Sequence, residues 1–174
     1  MMATLPNSLK VKMENMKKIV KIAMIVLAAT ALWGCYEEPQ PLDKPFVYIC
    51  DKIGGSKADI SAQGNNILSE LEVHLSCKKF TEPIVVYYDV IVGDGLKEGV
   101  DFVIQSTSKS PLTFKPGTFD LPVRVSWRRT DSFDATKDNT LTFVLKSVDS
   151  NIGEFYIGLL GPDHLCSSYV FTKK

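Results

Sequence analysis

From Phe46 onward the apolar positions of this chain recur at every second residue. Ile84, Val86, Tyr88, Val90 and Val92 alternate with Val85, Tyr87, Asp89 and Ile91, and Leu121, Val123, Val125 and Trp127 alternate with Pro122, Arg124, Ser126 and Arg128. Leu141, Phe143 and Leu145 alternate in the same way with Thr142, Val144 and Lys146. A period of two puts successive side chains on opposite faces of an extended chain, so these are strands with one buried face. Shorter runs at Phe46–Cys50, Ile67–Ser76, Phe102–Gln105, Glu154–Leu160 and Ser168–Thr172 are read as further strands. Gly54-Gly55, Gly93-Asp94-Gly95, Pro116-Gly117 and Gly161-Pro162 separate them as turns. Seven or eight strands across residues 46–174, with no amphipathic helix among them, predict two antiparallel sheets packed face to face. Trp127 shares a row with Leu121, Val123 and Val125 and is expected in the core.

The pattern ahead of Phe46 is different. Residues 1–34 hold five basic side chains and one acidic one, which leaves fifteen basic against nineteen acidic side chains beyond them. The body of the chain is therefore mildly acidic and lacks the clustered Lys and Arg that nucleic acid requires, so no nucleic-acid partner is expected. From Met16 a short basic head (Lys17, Lys18, Lys21) leads into twelve uncharged residues, Ile22 to Trp33. That is too short for a spanning helix, which needs roughly 20 residues, and it suits the apolar centre of a secretory signal peptide. The natural start is expected at Met16, residues 1–15 being a start-site extension or a tail removed with the signal.

Leu32, Trp33, Gly34 and Cys35 resemble the bacterial lipobox, whose cysteine is acylated and becomes the mature N-terminus; Trp33 departs from the small residue usual there. The resemblance implies a signal peptide over residues 1–34 and a lipid anchor on Cys35. Each buried methylene contributes about 0.8 kcal/mol, so two or more acyl chains hold a domain on a membrane almost permanently. Tyr36, Glu37 and Glu38 resemble the acidic export signal of Bacteroidota-type surface lipoproteins, which implies an outer-membrane protein facing the cell exterior. Pro39, Pro41 and Pro45 make residues 35–45 a stiff tether that spans about 30 Å.

Within the sandwich, Glu98-Gly99-Val100-Asp101-Phe102, then Leu112-Thr113-Phe114, then Pro116-Gly117 and two long paired strands resemble the Calx-beta repeat over roughly residues 85–148. The resemblance implies an immunoglobulin-like sandwich and raises the question of calcium. Calcium takes six to eight oxygens, usually from converging carboxylates. Asp131, Asp134 and Asp138 share one loop, but they lack the dense acidic run of the calcium-binding repeats and have Arg128, Arg129 and Lys137 beside them, so no metal and no cofactor are expected.

His74 shares a polar face with Glu70 and Glu72, and His164 lies in a Gly-Pro-Asp-His loop; neither belongs to a recognisable catalytic motif, and the chain is read as a non-enzyme. Cys50, Cys77 and Cys166 are odd in number once Cys35 is acylated, so at most one disulfide forms among them. Cys77 with Cys166 is the first pairing to consider, and buried free thiols are the expected state. The expectation that follows is a non-catalytic binding module, with glycan capture beside a polysaccharide uptake system as the first reading and docking to an outer-membrane partner protein as the alternative. Sugar rings stack on exposed aromatic faces, and the candidates are Tyr87, Tyr156, Phe119 and Phe133.

Overall fold

The computed structural model describes residues 44–174, apart from Asn65 and Ser132. The signal peptide, Cys35, Glu37, Glu38 and nearly all of the tether lie outside the described residues.

Among the described residues, ten strands form two five-stranded sheets. They are β1 (Phe46–Cys50), β2 (Lys57–Ile60), β3 (Ile67–Ser76), β4 (Ile84–Val92), β5 (Phe102–Ile104), β6 (Leu112–Phe114), β7 (Asp120–Trp127), β8 (Thr140–Asp149), β9 (Tyr156–Ile157) and β10 (Ser168–Lys173). The first sheet runs β5-β7-β3-β1-β9 and the second β2-β10-β8-β4-β6. The described residues thus form an all-β sandwich, and the alternation that predicted its long strands also sets which rows face inward. Val47 and Ile49, Leu71, Val73 and Leu75, and Val123, Val125 and Trp127 bury the inner face of the first sheet. Ile84, Val86 and Tyr88, Leu141, Phe143 and Leu145, and Tyr169 and Phe171 bury that of the second. Trp127 is 1% exposed, donates its indole N–H to Ser69 Oγ (3.1 Å), and meets Phe102 and Phe171 at centroid distances of 5.7 and 5.4 Å.

Two features differ from the pattern. The edges add short strands that carry no readable alternation, and two edge pairings, β1 with β9 and β10 with β2, are parallel. The strand expected over Glu154–Leu160 shrinks to two residues, because Gly158 turns the chain away at φ +92°. A Cβ at that glycine would lie 2.7 Å from the His164 carbonyl oxygen, so only glycine fits the turn. All four edge strands are four residues or shorter, which leaves little free backbone for another chain to pair with.

A charged residue completes the core. Tyr169, Phe171 and Lys173 are the inward row of β10, and Lys173 is 1% exposed. Its ammonium donates to Asp101 Oδ1 (3.2 Å), to the Arg128 carbonyl (2.9 Å) and to Thr130 Oγ1, while the Thr130 hydroxyl donates to Asp101. The acceptors flank β5 and β7 of the first sheet, so this network pins one sheet to the other. Burial pushes the Asp101 carboxyl up, but hydrogen bonds from Thr130, Lys173 and the Lys97 N–H outweigh it and hold the group below its ordinary value.

Lys173→Met is expected to leave the Asp101 charge buried without its partner and to lower stability by about 3–5 kcal/mol, whereas the double change with Asp101→Asn should lose less. Urea unfolding measures both. Because the folded carboxyl titrates below the unfolded one, its contribution is full above about pH 4 and disappears as pH falls through the lower folded value. Asp101→Asn should flatten that acid-side loss; an unchanged slope between about pH 2 and pH 5 would show that other carboxylates carry it.

Candidate functional site

The outer face of the first sheet carries a band of aromatic rings. Alternation along β1 turns Val47 and Ile49 inward and Phe46 and Tyr48 outward. Pairing then sets their neighbours: Phe46 stands beside Tyr156 of β9, and Tyr48 beside His74 of β3. The rings lie close to parallel. Phe46 and Tyr48 stack at 5.9 Å and 29°, Tyr48 and His74 at 4.7 Å and 20°, and Tyr156 and His164 at 4.7 Å and 7°. Near-parallel rings are a favoured arrangement, and here four of them lie on one face of the sheet, with His164 of the following loop stacked on Tyr156.

Polar groups border the band. The His74 imidazole lies between two carboxylates, with Nδ1 hydrogen-bonded to Asp120 Oδ1 and Nε2 3.5 Å from Glu72 Oε2. One row further, Arg124 Nε donates to Glu70 Oε2 (2.5 Å) and Lys52 reaches Glu70 Oε1 (3.2 Å); these bonds, Arg124 first, hold the Glu70 carboxyl below its usual range. Partial burial pushes the Tyr48 phenol up, and the neighbouring Cys50, Asp120, Cys166 and Glu72 push the same way. At the Tyr156 end a groove of about 370 Å³ opens against Lys44, Pro45, Gly153 and Glu154. A hydroxyl-bearing ligand seated against the band would therefore meet hydrogen-bond acceptors on both sides. A second groove, of about 420 Å³, lies where the 158–167 loop meets β2 and β10; it is lined by Lys57, Asp59, Asp163, His164, Leu165 and Ser168, among others.

The four aromatic candidates do not assemble on one face. Tyr156 belongs to the band, but Tyr87 stands on the outer face of the opposite sheet, 41% exposed and paired with Ser147 of β8. Phe119 is half-buried and meets Phe80 edge-on at 5.4 Å, so it is a core-rim residue. Phe133 is half-buried in the β7–β8 loop, in a separate groove with Ala135 and Lys137. The expected platform is thus replaced by Phe46, Tyr48 and Tyr156. Nothing in the sequence marks Phe46 and Tyr48 as outward, because every residue of Phe46–Cys50 is apolar or aromatic, and an unbroken apolar run hides which row faces out.

The loop acids serve their own turns. Asp131 pairs with Arg129 (2.9 Å), Asp134 Oδ1 accepts from the Thr136 N–H and hydroxyl, and Asp138 Oδ1 accepts from those of Thr140. Among the described residues no group of three His, Cys, Asp or Glu side chains is placed to hold a metal ion. Cys50, Cys77 and Cys166 are free thiols. The pairing considered for Cys77 does not fit the register, because Cys77 follows the Ser76–Phe46 pair at one end of β1 while the Cys166 carbonyl accepts from Ile49 near the other. At about 3.3 Å per residue the two sites are roughly 10 Å or more apart, beyond disulfide reach.

No protein-family model matches the chain, and no curated protein matches it either. Among solved structures it is similar to CBD12 from CALX1.2, at 16% identity and a TM-score of 0.47, over 73% of this chain and 44% of that one. It is also similar to Bacteroides thetaiotamicron EndoBT-3987 with Man5GlcNAc product, at 13% identity and a TM-score of 0.48, over 72% of this chain and 31% of that one. The chain therefore spans less than half the length of either, and the sandwich rests on its own two sheets.

Phe119→Ala is expected to cost about 2 kcal/mol of stability, less than a fully buried phenylalanine because the ring is only half enclosed. Chemical denaturation measures it; a loss below about 0.5 kcal/mol would show that the Phe80 contact carries little and that the ring is available to a ligand.

Proposed function

We propose that this protein is a non-catalytic, lipid-anchored binding module of the outer membrane, Calx-beta-like in fold, that faces the cell exterior and captures polysaccharide on the band formed by Phe46, Tyr48 and Tyr156. The observation that carries the reading is the row of outward, near-parallel rings bordered by carboxylates. A pyranose ring has an apolar C–H face and a rim of hydroxyls. The face stacks on aromatic area, and the rim donates to groups such as Asp120, Glu72 and Glu154. Apolar area with a few placed polar groups is the general composition of a ligand site. The anchor is supported by the lipobox resemblance at Cys35, and the outward address by Glu37 and Glu38 behind it.

The alternative, docking to an outer-membrane protein, has its own support in the exposed row of β4. Tyr87 and Ile91 are 41% and 59% exposed. Such docking would use that face rather than strand addition, given the short edges.

Tyr48→Ala is expected to weaken retention on a soluble polysaccharide about tenfold in affinity electrophoresis, as for loss of a central aromatic anchor, while Tyr87→Ala leaves it unchanged. The reverse pattern, or retention of one membrane protein with no glycan bound, would transfer the function to the β4 face. For location, Cys35→Ala should abolish incorporation of labelled fatty acid. Glu37→Ala with Glu38→Ala should keep the lipid but reduce cleavage by protease added to intact cells; unchanged cleavage would show that the pair is no export signal.

A further inference from the structure

We propose that Cys50 and Cys166 are a disulfide-forming pair that locks the 158–167 loop onto β1. Alternation places Cys50 on the outer face with Phe46 and Tyr48, yet it is 6% exposed, and the returning limb of that loop runs beside it. The limb is held closely. Ile49 N–H donates to the Cys166 carbonyl (2.8 Å), Leu159 N–H to the Leu165 carbonyl (2.7 Å), and Leu145 N–H to the Ser167 carbonyl (2.9 Å). Beyond the end of β9, Cys166 thus takes the strand-neighbour place beside Ile49, one residue from Cys50. Adjacent strands lie about 4.8 Å apart, which falls inside the roughly 4.4–6.8 Å between Cα atoms that a disulfide bridges.

The loop's backbone points the same way. Three non-glycine residues among those described have positive φ, and two of them, His164 (+46°) and Cys166 (+57°), lie in this loop. Such conformations persist where surrounding contacts enforce them, often at functional sites. Burial and the nearby Cys166 thiol push the Cys50 thiol up to about 11, in keeping with two sulfurs that share a site.

The chemistry is thiol–disulfide exchange with a small-molecule disulfide such as glutathione disulfide. Cys166, the more exposed of the two, attacks as a thiolate, forms a mixed disulfide and releases one glutathione thiolate. Cys50 then gives its proton to solvent and attacks the Cys166 sulfur, which releases the second glutathione. Two protein thiols are oxidised to one disulfide, and one glutathione disulfide is reduced to two thiols. The link would tie to β1 the loop whose His164 stacks on Tyr156, so the Tyr156 end of the band would be fixed in the oxidised protein and free to lift in the reduced one. This inference stands apart from the glycan reading, since it concerns the sulfur pair whatever the band binds.

The test uses the full chain in detergent, incubated with glutathione disulfide at mildly alkaline pH, alkylated and mapped without reduction. The expected product is one cross-linked pair of peptides containing Cys50 and Cys166, two hydrogens lighter than their sum, with Cys77 alkylated. Full alkylation of both cysteines in the folded protein, or a link to Cys77, would overturn the proposal. Chymotrypsin then reads the lock, because Leu160 and Leu165 are 44% and 60% exposed. Cutting between 159 and 166 should be about tenfold slower in the oxidised form than in the reduced form or in Cys50→Ser. Equal rates would show that the bond forms without holding the loop.

Discussion

An ammonium group in an apolar interior must be paired, and Lys173 imposes that condition on the whole sandwich. It occupies the third inward position of the last strand, where the two preceding positions are Tyr169 and Phe171. Desolvating it without partners would cost more than the domain's net stability. The partners therefore have to arrive from the other sheet: Asp101 ahead of β5, with Arg128 and Thr130 just after β7. The requirement is geometric as well as energetic. The network forms only when β10 is in register with β8 and the two sheets are aligned, so it selects one packing among the many that would bury a similar apolar area. A slip of one residue in β10 would expose Tyr169 and Phe171 and carry the charge to the outer face.

With the inner faces committed in this way, the outer faces are free to differ, and they do. The second sheet's outer face mixes Tyr87, Ile91 and Val144 with Thr142 and Lys146. The first sheet's outer face gathers its rings toward β1 and β9 and its ion pairs toward β3 and β7. The separation follows from register. Because β1 pairs with β3 on one side and β9 on the other, Phe46 and Tyr48 stand beside a tyrosine and a histidine, while Glu70 stands beside Arg124 of β7. An edge this apolar would invite a neighbouring chain if it were long. β9 covers it with only two residues, and the 158–167 loop extends the cover as far as Ile49.

The long strands were legible because a half-buried strand writes its burial into alternation; Ile67–Ser76 and the regions of β4, β7 and β8 stand close to where the pattern puts them. Legibility fails where both faces carry the same chemistry or where the element is too short to show a period. Lys57–Ile60 holds two charged residues in four and is a strand only because β10 pairs with it. Lys173 falls just beyond the strand read over Ser168–Thr172, since no local signal marks a charge that enters a core. The candidate site suffered from the same blindness. Phe119 and Phe133 look free in sequence because they lie near strand ends, but Phe119 meets Phe80 and Phe133 shares a groove with Thr172, Lys173 and Lys174, all distant in the chain.

The 158–167 loop joins these strands of argument, because it is where the chain passes from the edge of one sheet to the interior of the other. Its glycines and its positive-φ residues are the means of making that crossing in few residues: Gly158 turns off the edge, and the limb returns at Cys166 in contact with β1 before β10 begins. A crossing so tight must press its side chains against whatever it passes, and it passes Tyr156 and Cys50. The stack of His164 on Tyr156 and the burial of an outward-facing cysteine are both consequences of that path rather than separate features. The same path leads to β10, whose register Lys173 then fixes. The geometry of the aromatic band is thus tied through one loop to the charge that aligns the two sheets.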